Sequence, residues 1–218
     1  MGVPCEVFNV GNHRRKQLSQ QQDHTFFDQK NESNNKLRTQ LAMDVLEELI
    51  HWLQEGGGHV GIHDATNTTR ARRQQILERI AQETNMHVLF VESICRKDDI
   101  IAQNIQLKLQ SPDYKNSPAD EALEDFRARL ASYEEVYEGL DEKIDRPVPY
   151  IQLIDIGERV IANSIHGYLP SQIVFYLMNY HTCPRRIWLT RHGESTDNVS
   201  GRIGGDAALS DRGFDFSD

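Results

Sequence analysis

The chain has 218 residues, of which 38% are hydrophobic and 26% are charged, and 33 acidic against 24 basic side chains give it a formal net charge of −9. This composition is typical of a water-soluble globular protein with a packed core. The negative charge argues against a general binder of nucleic acids or anionic membrane surfaces. No apolar run approaches the roughly 18 residues that a membrane span needs.

The three cysteines, Cys5, Cys95 and Cys183, stand far apart in the sequence. An odd number without a C-x-x-C pair argues against a disulfide framework and against a zinc site. The first residues lack the basic and then apolar profile of a secretory signal, so we expect a cytoplasmic protein.

In chain order, short apolar runs alternate with segments whose apolar residues recur at helical spacing. The run over residues 7–10 predicts a strand that turns at Gly11, and the polar residues 17–33, with Phe26 and Phe27 among them, indicate a surface loop or a weak helix. Further strands are predicted over residues 59–64, 88–91, 151–156, 160–165 and 187–190. Helices are predicted over residues 36–54, 68–84, 99–109, 118–136 and 170–179.

This alternation predicts an α/β fold with a mostly parallel sheet and helices on both faces. We expect a boundary near residues 181–186, a short polar link that contains Pro184. The residues after it are too few to build a domain by themselves.

The sharpest local pattern is Leu-Thr-Arg-His-Gly-Glu-Ser over residues 189–195. It places the imidazole of His192 at the carboxyl end of a predicted strand, where open α/β sheets bind ligands. A neutral histidine nitrogen can attack a phosphoryl group and carry it covalently, with Arg191 neutralising the phosphate oxygens. The alternative is an ordinary strand-end histidine capped by the neighbouring arginine.

A second pattern is Asp-Ala-Thr-Asn-Thr-Thr-Arg-Ala-Arg-Arg over residues 64–73. Nucleotide kinases place a carboxylate such as Asp64 at a strand end to hold Mg²⁺ or to accept the proton of a substrate hydroxyl. The turn opens a helix whose first amides favour phosphate, and Arg70, Arg72 and Arg73 supply guanidinium groups for phosphate oxygens. Alternatively, Asp64 is a plain turn residue and the arginines form a solvated face.

Together these segments resemble the 6-phosphofructo-2-kinase/fructose-2,6-bisphosphatase family. Further matching stretches follow in family order: Val-Phe-Asn-Val-Gly over residues 7–11, Val-Glu-Ser-Ile-Cys over 91–95, Ser-Pro-Asp-Tyr over 111–114 and Gly-Arg-Ile-Gly-Gly-Asp over 201–206. The resemblance implies a P-loop-kinase-like domain over residues 1–184. Residues 185–218 would then be the start, including the first strand, of a histidine-phosphatase domain of the phosphoglycerate-mutase type.

The resemblance also implies roles for individual residues of the kinase part. Asp64 would lie at the Mg²⁺-ATP site as an active-site residue, with Cys95 as a second active-site position. The residues implied for fructose 6-phosphate are Arg14, Arg38, Thr66, Arg72, Lys108, Arg129 and Tyr133. Asn104 and Lys108 would contact ATP. A product with two phosphate groups requires many cationic side chains, because phosphoryl transfer depends mainly on positioning and on stabilising the negative charge.

In the phosphatase part, the resemblance implies that His192 is the phosphohistidine nucleophile. Arg191, Asn198 and Gly204 would bind fructose 2,6-bisphosphate. The parent enzyme would be a homodimer that uses ATP and Mg²⁺ and binds neither nucleic acid nor a membrane.

Several of these residues also have a purely structural interpretation. Arg14, Arg38 and Arg129 are of the type most often found as cations on helix surfaces. Arg129 and Tyr133 are four residues apart, so they share a helix face for packing or for a ligand. Cys95 at a strand end is compatible with a small buried hydrophobic residue.

The sequence departs from the family pattern in two places. It has no G-x-x-x-x-G-K-[ST] phosphate loop, and its last residues do not resemble the family's continuation. One hypothesis is therefore a fragment of an ATP-dependent sugar-phosphate kinase, from which we expect negligible kinase and bisphosphatase turnover by itself. The other is a catalytically inactive sugar-phosphate-binding or interaction module.

Overall fold

The computed structural model describes residues 2–18, 22–115, 117–180, 189 and 191–217. The chain divides into two compact units, Met1–Tyr180 and His181–Asp218. The predicted link over residues 181–186 lies outside the described residues, and so do residues 187, 188 and 190 of the last predicted strand. In the described part, no helix combines the length and the apolar character needed to cross a membrane.

The larger unit is a mixed α/β structure, as the alternation predicts. Its elements in chain order are β1 (Cys5–Asn9), α1 (Val10–Gln17), α2 (His24–Phe27), α3 (Glu32–Glu55), β2 (Val60–Asp64), α4 (Arg70–Ile80), β3 (Phe90–Ile94), α5 (Asp98–Leu109), α6 (Ala119–Val136), β4 (Tyr150–Ile154), β5 (Arg159–Asn163) and α7 (Tyr168–Asn179). Most differ from the predicted bounds by only a few residues at either end.

The strands pair mainly in parallel, but they form two sheets among the described residues instead of the single sheet that the alternation predicts. β1 pairs with β2 in parallel, β3 pairs with β4 in parallel, and β5 is antiparallel to β4. Some apolar side chains on the sheet faces stay accessible, and Val7, Ile62 and Val91 are all exposed. Helices therefore cover the strands less completely than the predicted two-faced packing requires.

The long helix α3 organises the core. The side chain of Asn31 caps its start by accepting a hydrogen bond from the amide of Asn34, at 3.0 Å. Its apolar stripe lies against β1, β2 and α4 and comprises Leu41, Ala42, Val45, Leu46, Leu49 and Ile50. At Gly61 of β2, an added Cβ would lie 2.7 Å from the Leu49 side chain, so glycine allows this close approach.

Two expectations for the first 33 residues are wrong. The chain does not turn at Gly11, because the Asn9 side chain accepts from the amide of Asn12 and starts helix α1 at Val10. The stretch over residues 17–33 is not simply a surface loop or weak helix, since Phe26 and Phe27 of the short helix α2 are buried. Their aromatic side chains outweigh the polar composition around them, because burying an aromatic ring is strongly favourable.

The smaller unit contains two short helices within its described residues, α8 (Thr196–Val199) and α9 (Asp211–Ser217). Ser195 and Asn198 form a reciprocal capping box at the start of α8, and Ser195 is buried. An added Cβ on Gly193 would lie 2.2 Å from the backbone oxygen of Gly213, so only glycine allows these two segments to lie this close.

Candidate functional site

Strands β1 and β2 end at the same level, and this places two polar side chains together. Asn9 and Asp64 are paired in the parallel register, and the amide of Asn9 donates a short hydrogen bond to the Asp64 carboxylate. Asp64 is exposed, so its second carboxylate oxygen is accessible at the carboxyl edge of the sheet. This is the edge where α/β sheets place ligand-binding groups.

The turn after Asp64 is held by the helix that follows it. Thr69 caps α4 by accepting a hydrogen bond from the amide of Arg72 at 3.2 Å, and Asn67 has a positive φ of 39°. The buried guanidinium of Arg73 donates to the carbonyls of Asn67 and Thr68. These contacts fix the turn and leave the side chain of Thr66 exposed beside Asp64.

Arg38 of α3 and Arg72 of α4 are neighbouring cations in the N-terminal halves of these helices. Arg38 donates to the carbonyl of Phe27 at 3.0 Å and to the side chain of Gln29 at 2.9 Å. Arg72 donates a short hydrogen bond to the hydroxyl of Thr39. All these acceptors are uncharged, and neither guanidinium forms an ion pair with a carboxylate in the described part of the chain.

The electrostatics of this pair show that the two cations interact in a partly desolvated place. Burial, reinforced by the neighbouring Arg38, lowers the pKa of Arg72, while Tyr133 acts in the opposite direction. Two half-buried guanidinium groups without a carboxylate repel each other, and an anion between them relieves that repulsion. The chemistry of the Arg38–Arg72 pair therefore suits an anion.

Arg14 and Arg129 are buried rather than exposed on helix surfaces, and one carboxylate links them. Nη2 of Arg14 lies 2.7 Å from Asp113, and Nη1 of Arg129 lies 3.6 Å from the same carboxylate. Arg129 is also held by Asp125, at 2.7 Å, and donates to the carbonyl of Gln22 at 2.6 Å. In contrast to the Arg38–Arg72 pair, these two cations are neutralised within the fold.

Phe27 connects the two groups of arginines. Its ring lies 4.2 Å from the guanidinium carbon of Arg129 and 5.0 Å from that of Arg14, distances typical of cation–π contacts. The ring also packs against Tyr133, and the backbone carbonyl of Phe27 holds Arg38. Four of the seven residues implied for fructose 6-phosphate, Arg14, Arg38, Arg129 and Tyr133, thus contact Phe27. A fifth, Arg72, interacts with Arg38 and Tyr133.

Other implied residues of the kinase part lie apart from this cluster. Asn104 and Lys108 are exposed on α5, and no hydrogen bond or ion pair among the described residues ties Lys108 to the arginines. Cys95 follows the end of β3, where its Sγ lies 3.9 Å from the carbonyl of Lys97. It is a free, half-buried thiol, which leaves both its structural and its active-site interpretation as predictions.

The implied phosphatase residues all belong to the smaller unit. Arg191, His192 and Asn198 are exposed, and Gly204 has a φ of 92° with nothing near its Cα that a side chain would meet. Nδ1 of His192 lies 2.6 Å from the carbonyl oxygen of Gly193, which places the ring proton on Nδ1. In a neutral imidazole with this tautomer the lone pair is on Nε2, the atom that would make a nucleophilic attack.

Residue-level reasoning missed several contributors to the site. Asp113 was singled out only as part of Ser-Pro-Asp-Tyr, and Phe27 only as an aromatic residue in a polar stretch. The sequence carries no signal for His63, whose half-buried ring lies 3.0 Å from the carbonyl of Ala42. Burial lowers the pKa of His63, with the nearby Arg72 adding to the effect and the hydrogen bond to the Ala42 carbonyl opposing it.

The described residues hold no cluster of three or more histidine, cysteine, aspartate or glutamate side chains able to bind a metal ion. Asp64 nevertheless fits a magnesium ion carried by a nucleotide, because Mg²⁺ is commonly held by one or two carboxylates together with substrate phosphates. An exposed carboxylate with one occupied oxygen meets that requirement.

Comparison with known proteins gives a consistent result. The family model for 6-phosphofructo-2-kinase matches residues 1–184. The chain is 48% identical over 218 residues to 6-phosphofructo-2-kinase 1 of Saccharomyces cerevisiae, with 98% of the chain and 26% of that protein covered. It is 47% identical over 218 residues to 6-phosphofructo-2-kinase/fructose-2,6-bisphosphatase 4 of Homo sapiens, with 100% of the chain and 46% of that protein covered. The chain thus spans less than half the length of these relatives.

Proposed function

The chain belongs to the 6-phosphofructo-2-kinase family, and on that basis we propose that it binds fructose 6-phosphate and supports its phosphorylation by ATP to fructose 2,6-bisphosphate. The observation that carries this proposal is the Arg38–Arg72 pair: two half-buried, neighbouring guanidinium groups whose hydrogen-bond acceptors are all uncharged. A sugar phosphate supplies the missing negative charge. Arg129 and Tyr133, which share one face of α6, complete the proposed site through their contacts with the ring of Phe27.

The chemistry of the transfer needs a second group at the sheet edge. A bond forms between the sugar hydroxyl oxygen and the γ-phosphorus of ATP, while the bond from that phosphorus to the bridging oxygen of ADP breaks. Asp64 is the proposed acceptor of the hydroxyl proton or a ligand of the nucleotide's Mg²⁺. The Asn9 amide holds the carboxylate in place for either role. Cys95, Thr66, Asn104 and Lys108 remain proposed members of the same site.

Binding of fructose 6-phosphate tests the first part of the proposal without a nucleotide. We expect Arg38→Ala and Arg72→Ala each to weaken binding by roughly 10-fold or more, because a charge-assisted hydrogen bond contributes about 1.5 to 3 kcal/mol. The measurement is isothermal titration calorimetry. Arg79→Ala is a matched control, since Arg79 lies on α4 with Arg72 but pairs with the exposed Glu47. Unchanged affinity of Arg72→Ala for fructose 6-phosphate would reject the proposed site at Arg38 and Arg72.

Nucleotide binding tests the role of Asp64 separately. We expect Asp64→Asn to leave the affinity for fructose 6-phosphate within about twofold and to weaken binding of Mg²⁺-ATP, because the amide is a poor ligand for a hard cation. Calorimetry with each ligand in turn makes the comparison. Equal losses for both ligands would show that Asp64 supports the turn rather than the nucleotide.

For the smaller unit we propose the start of a bisphosphatase domain, with residues 1–184 as the kinase domain. A bond would form between Nε2 of His192 and the phosphorus of the 2-phosphoryl group, while the bond from that phosphorus to the oxygen on C2 breaks and fructose 6-phosphate leaves. Arg191, Asn198 and Gly204 would surround the bisphosphate. Labelled fructose 2,6-bisphosphate should leave acid-labile label on the chain but not on His192→Gln. Label retained in that variant would exclude His192. A cytoplasmic location and a homodimeric enzyme complete the proposal.

A further inference from the structure

Phe27 lies at the end of the four-residue helix α2, between longer helices. It is 9% exposed and forms a buried cluster with Phe26 and with Leu41 of α3, and Tyr133 of α6 packs against this cluster. A phenyl ring carries no charge and no proton to transfer. Any part that Phe27 has in a phosphate site must therefore act through its neighbours.

The ring of Phe27 contacts two guanidinium groups at once. The guanidinium carbons of Arg129 and Arg14 lie 4.2 and 5.0 Å from its centroid, and each arginine is only 7% exposed. The face of an aromatic ring is negative, so it attracts both cations, and more strongly where water is excluded. The ring therefore limits where these two side chains lie, in addition to the carboxylate of Asp113 that links them.

The same ring limits the position of Tyr133. The two ring centroids are 6.3 Å apart and the ring planes are inclined by 56°, which is within the range of favourable aromatic pairs. Tyr133 lies one turn after Arg129 on α6 and shares its face. An aliphatic side chain at position 27 fills much of the same space but offers neither the cation–π contacts nor the aromatic pair.

The backbone of Phe27 acts on a third arginine. Its carbonyl accepts a hydrogen bond from Nη1 of Arg38 at 3.0 Å, and the side-chain amides of Gln29 and Asn35 accept from Nη2 at 2.9 and 3.4 Å. The neighbouring cation Arg72 repels the guanidinium of Arg38, and these acceptors oppose its displacement. Because the carbonyl and the ring belong to one residue, the packing of the ring directs the carbonyl towards Arg38.

We propose that Phe27 is a positioning residue of the sugar-phosphate site. Its ring fixes Arg129 and Tyr133 and its carbonyl fixes Arg38, so these groups are in place before a phosphate arrives. The anion then binds with a smaller loss of side-chain freedom, which strengthens binding. The inference rests on the proposed function, because the ligand in both is the sugar phosphate.

Phe26 provides a matched control within the same short helix. It is 4% exposed and packs edge to face against Phe27, with ring centroids 5.1 Å apart. Its ring centroid lies 6.0 Å from the guanidinium carbon of Arg14. In the described part of the chain it has no ring contact with Arg129 or Tyr133. Leucine at either position thus removes one buried ring from α2, but only at position 27 does it remove those contacts.

The test is the affinity of the whole chain for fructose 6-phosphate, measured by isothermal titration calorimetry. We expect Phe27→Leu to bind about tenfold more weakly than the unaltered chain, and Phe26→Leu to bind within about twofold of it. Urea unfolding of both variants checks that they lose similar stability. Phe27→Met, which has a flexible side chain, replaces Phe27→Leu if the leucine variant does not fold. Equal affinities at the two positions would overturn the inference.

A measurement without ligand separates positioning from a general loss of packing. The exchange of guanidinium N–H protons with water, followed by ¹⁵N NMR, reports how firmly Arg38 is held. We expect about fivefold faster exchange at Arg38 in Phe27→Leu and unchanged exchange in Phe26→Leu. Arg79, which pairs with Glu47, is the internal reference. Unchanged exchange at Arg38 in Phe27→Leu, or equal acceleration in both variants, would overturn the inference.

The outcomes also separate this inference from the proposed function. If the unaltered chain binds fructose 6-phosphate and Arg72→Ala weakens binding but Phe27→Leu does not, the proposed function stands and the inference fails. If the unaltered chain does not bind the sugar phosphate, the proposed function fails and the inference fails with it.

Discussion

Replacing Asp113 with asparagine tests how the buried arginines are stabilised. The side chain keeps its size, but the negative charge between Arg14 and Arg129 is removed. The side chains of these two arginines are 8% and 9% exposed, and that of Asp113 is 18% exposed. The substitution therefore leaves positive charge in a place where water cannot compensate for it.

The magnitude follows from what each arginine retains. Removing one partner of a buried ion pair costs about 3 to 5 kcal/mol. Arg129 keeps Asp125, at 2.7 Å. Within the described part of the chain, Arg14 keeps the cation–π contacts with the rings of Phe26 and Phe27. We expect the lower end of the range, a loss of about 3 kcal/mol in the free energy of unfolding.

Urea unfolding followed by far-UV circular dichroism measures this loss. With an m-value of about 2 kcal/mol per molar urea, the midpoint should fall by about 1.5 M. Glu47→Gln is the matched control, because it makes the same carboxylate-to-amide change in the more exposed ion pair with Arg79. An exposed pair contributes at most about 1 kcal/mol.

Equal midpoints for Asp113→Asn and Glu47→Gln would refute this reasoning. Such a result would mean that water or a rearranged side chain compensates Arg14 as effectively as Asp113 does. A changed m-value would instead show that the substitution altered how much surface unfolding exposes.

Three further predictions concern other parts of the chain. Burial lowers the pKa of His63, so the unfolded chain binds a proton at this imidazole more readily than the folded chain. The free energy of unfolding should therefore be constant above about pH 6.5 and fall below it. The fall should be smaller in His63→Phe, as measured by urea unfolding across that pH range. Gly61→Val should cost about 1 to 3 kcal/mol in the same assay, because its Cβ would lie 2.7 Å from Leu49. Ser195→Ala should destabilise α8 by about 0.5 to 2 kcal/mol, seen as faster amide exchange at Asn198.

Each of these has a contradicting outcome. An unchanged pH profile in His63→Phe would mean that another group causes the loss of stability at low pH. Wild-type stability of Gly61→Val would show that Leu49 can move aside without cost. Unaltered exchange at Asn198 would mean that the Ser195 hydroxyl does not hold the start of the helix.

Periodicity predicted the long elements well because their apolar stripes are continuous. The six buried positions of α3 recur every three or four residues, and no other regular structure places them on one face. Short elements escaped prediction for the opposite reason. Helix α2 has only four residues, too few for a repeat, and its aromatic residues are buried by neighbours distant in sequence.

The site shows the same division. Residue types and the family resemblance identified Arg14, Arg38, Arg72, Arg129 and Tyr133. Periodicity placed Arg129 and Tyr133 on one helix face, and the structure confirms this because both contact Phe27. The distinction between neutralised and unneutralised arginines was not predictable, since it depends on which carboxylates the fold brings near.

The sequence by itself determined the longer helices and the strands of the larger unit, the acidic charge and the set of cations suited to phosphate. Local spacing and residue chemistry carry that information. Only the tertiary structure decided that Asp113 neutralises Arg14 and Arg129, and that no described carboxylate pairs with Arg38 or Arg72. It also decided that Arg70 and Arg73, from the same sequence pattern as Arg72, pair with Asp145. The physical reason is that the free energy of a charge depends on the groups and the water within a few ångströms, and these neighbours come from distant parts of the chain.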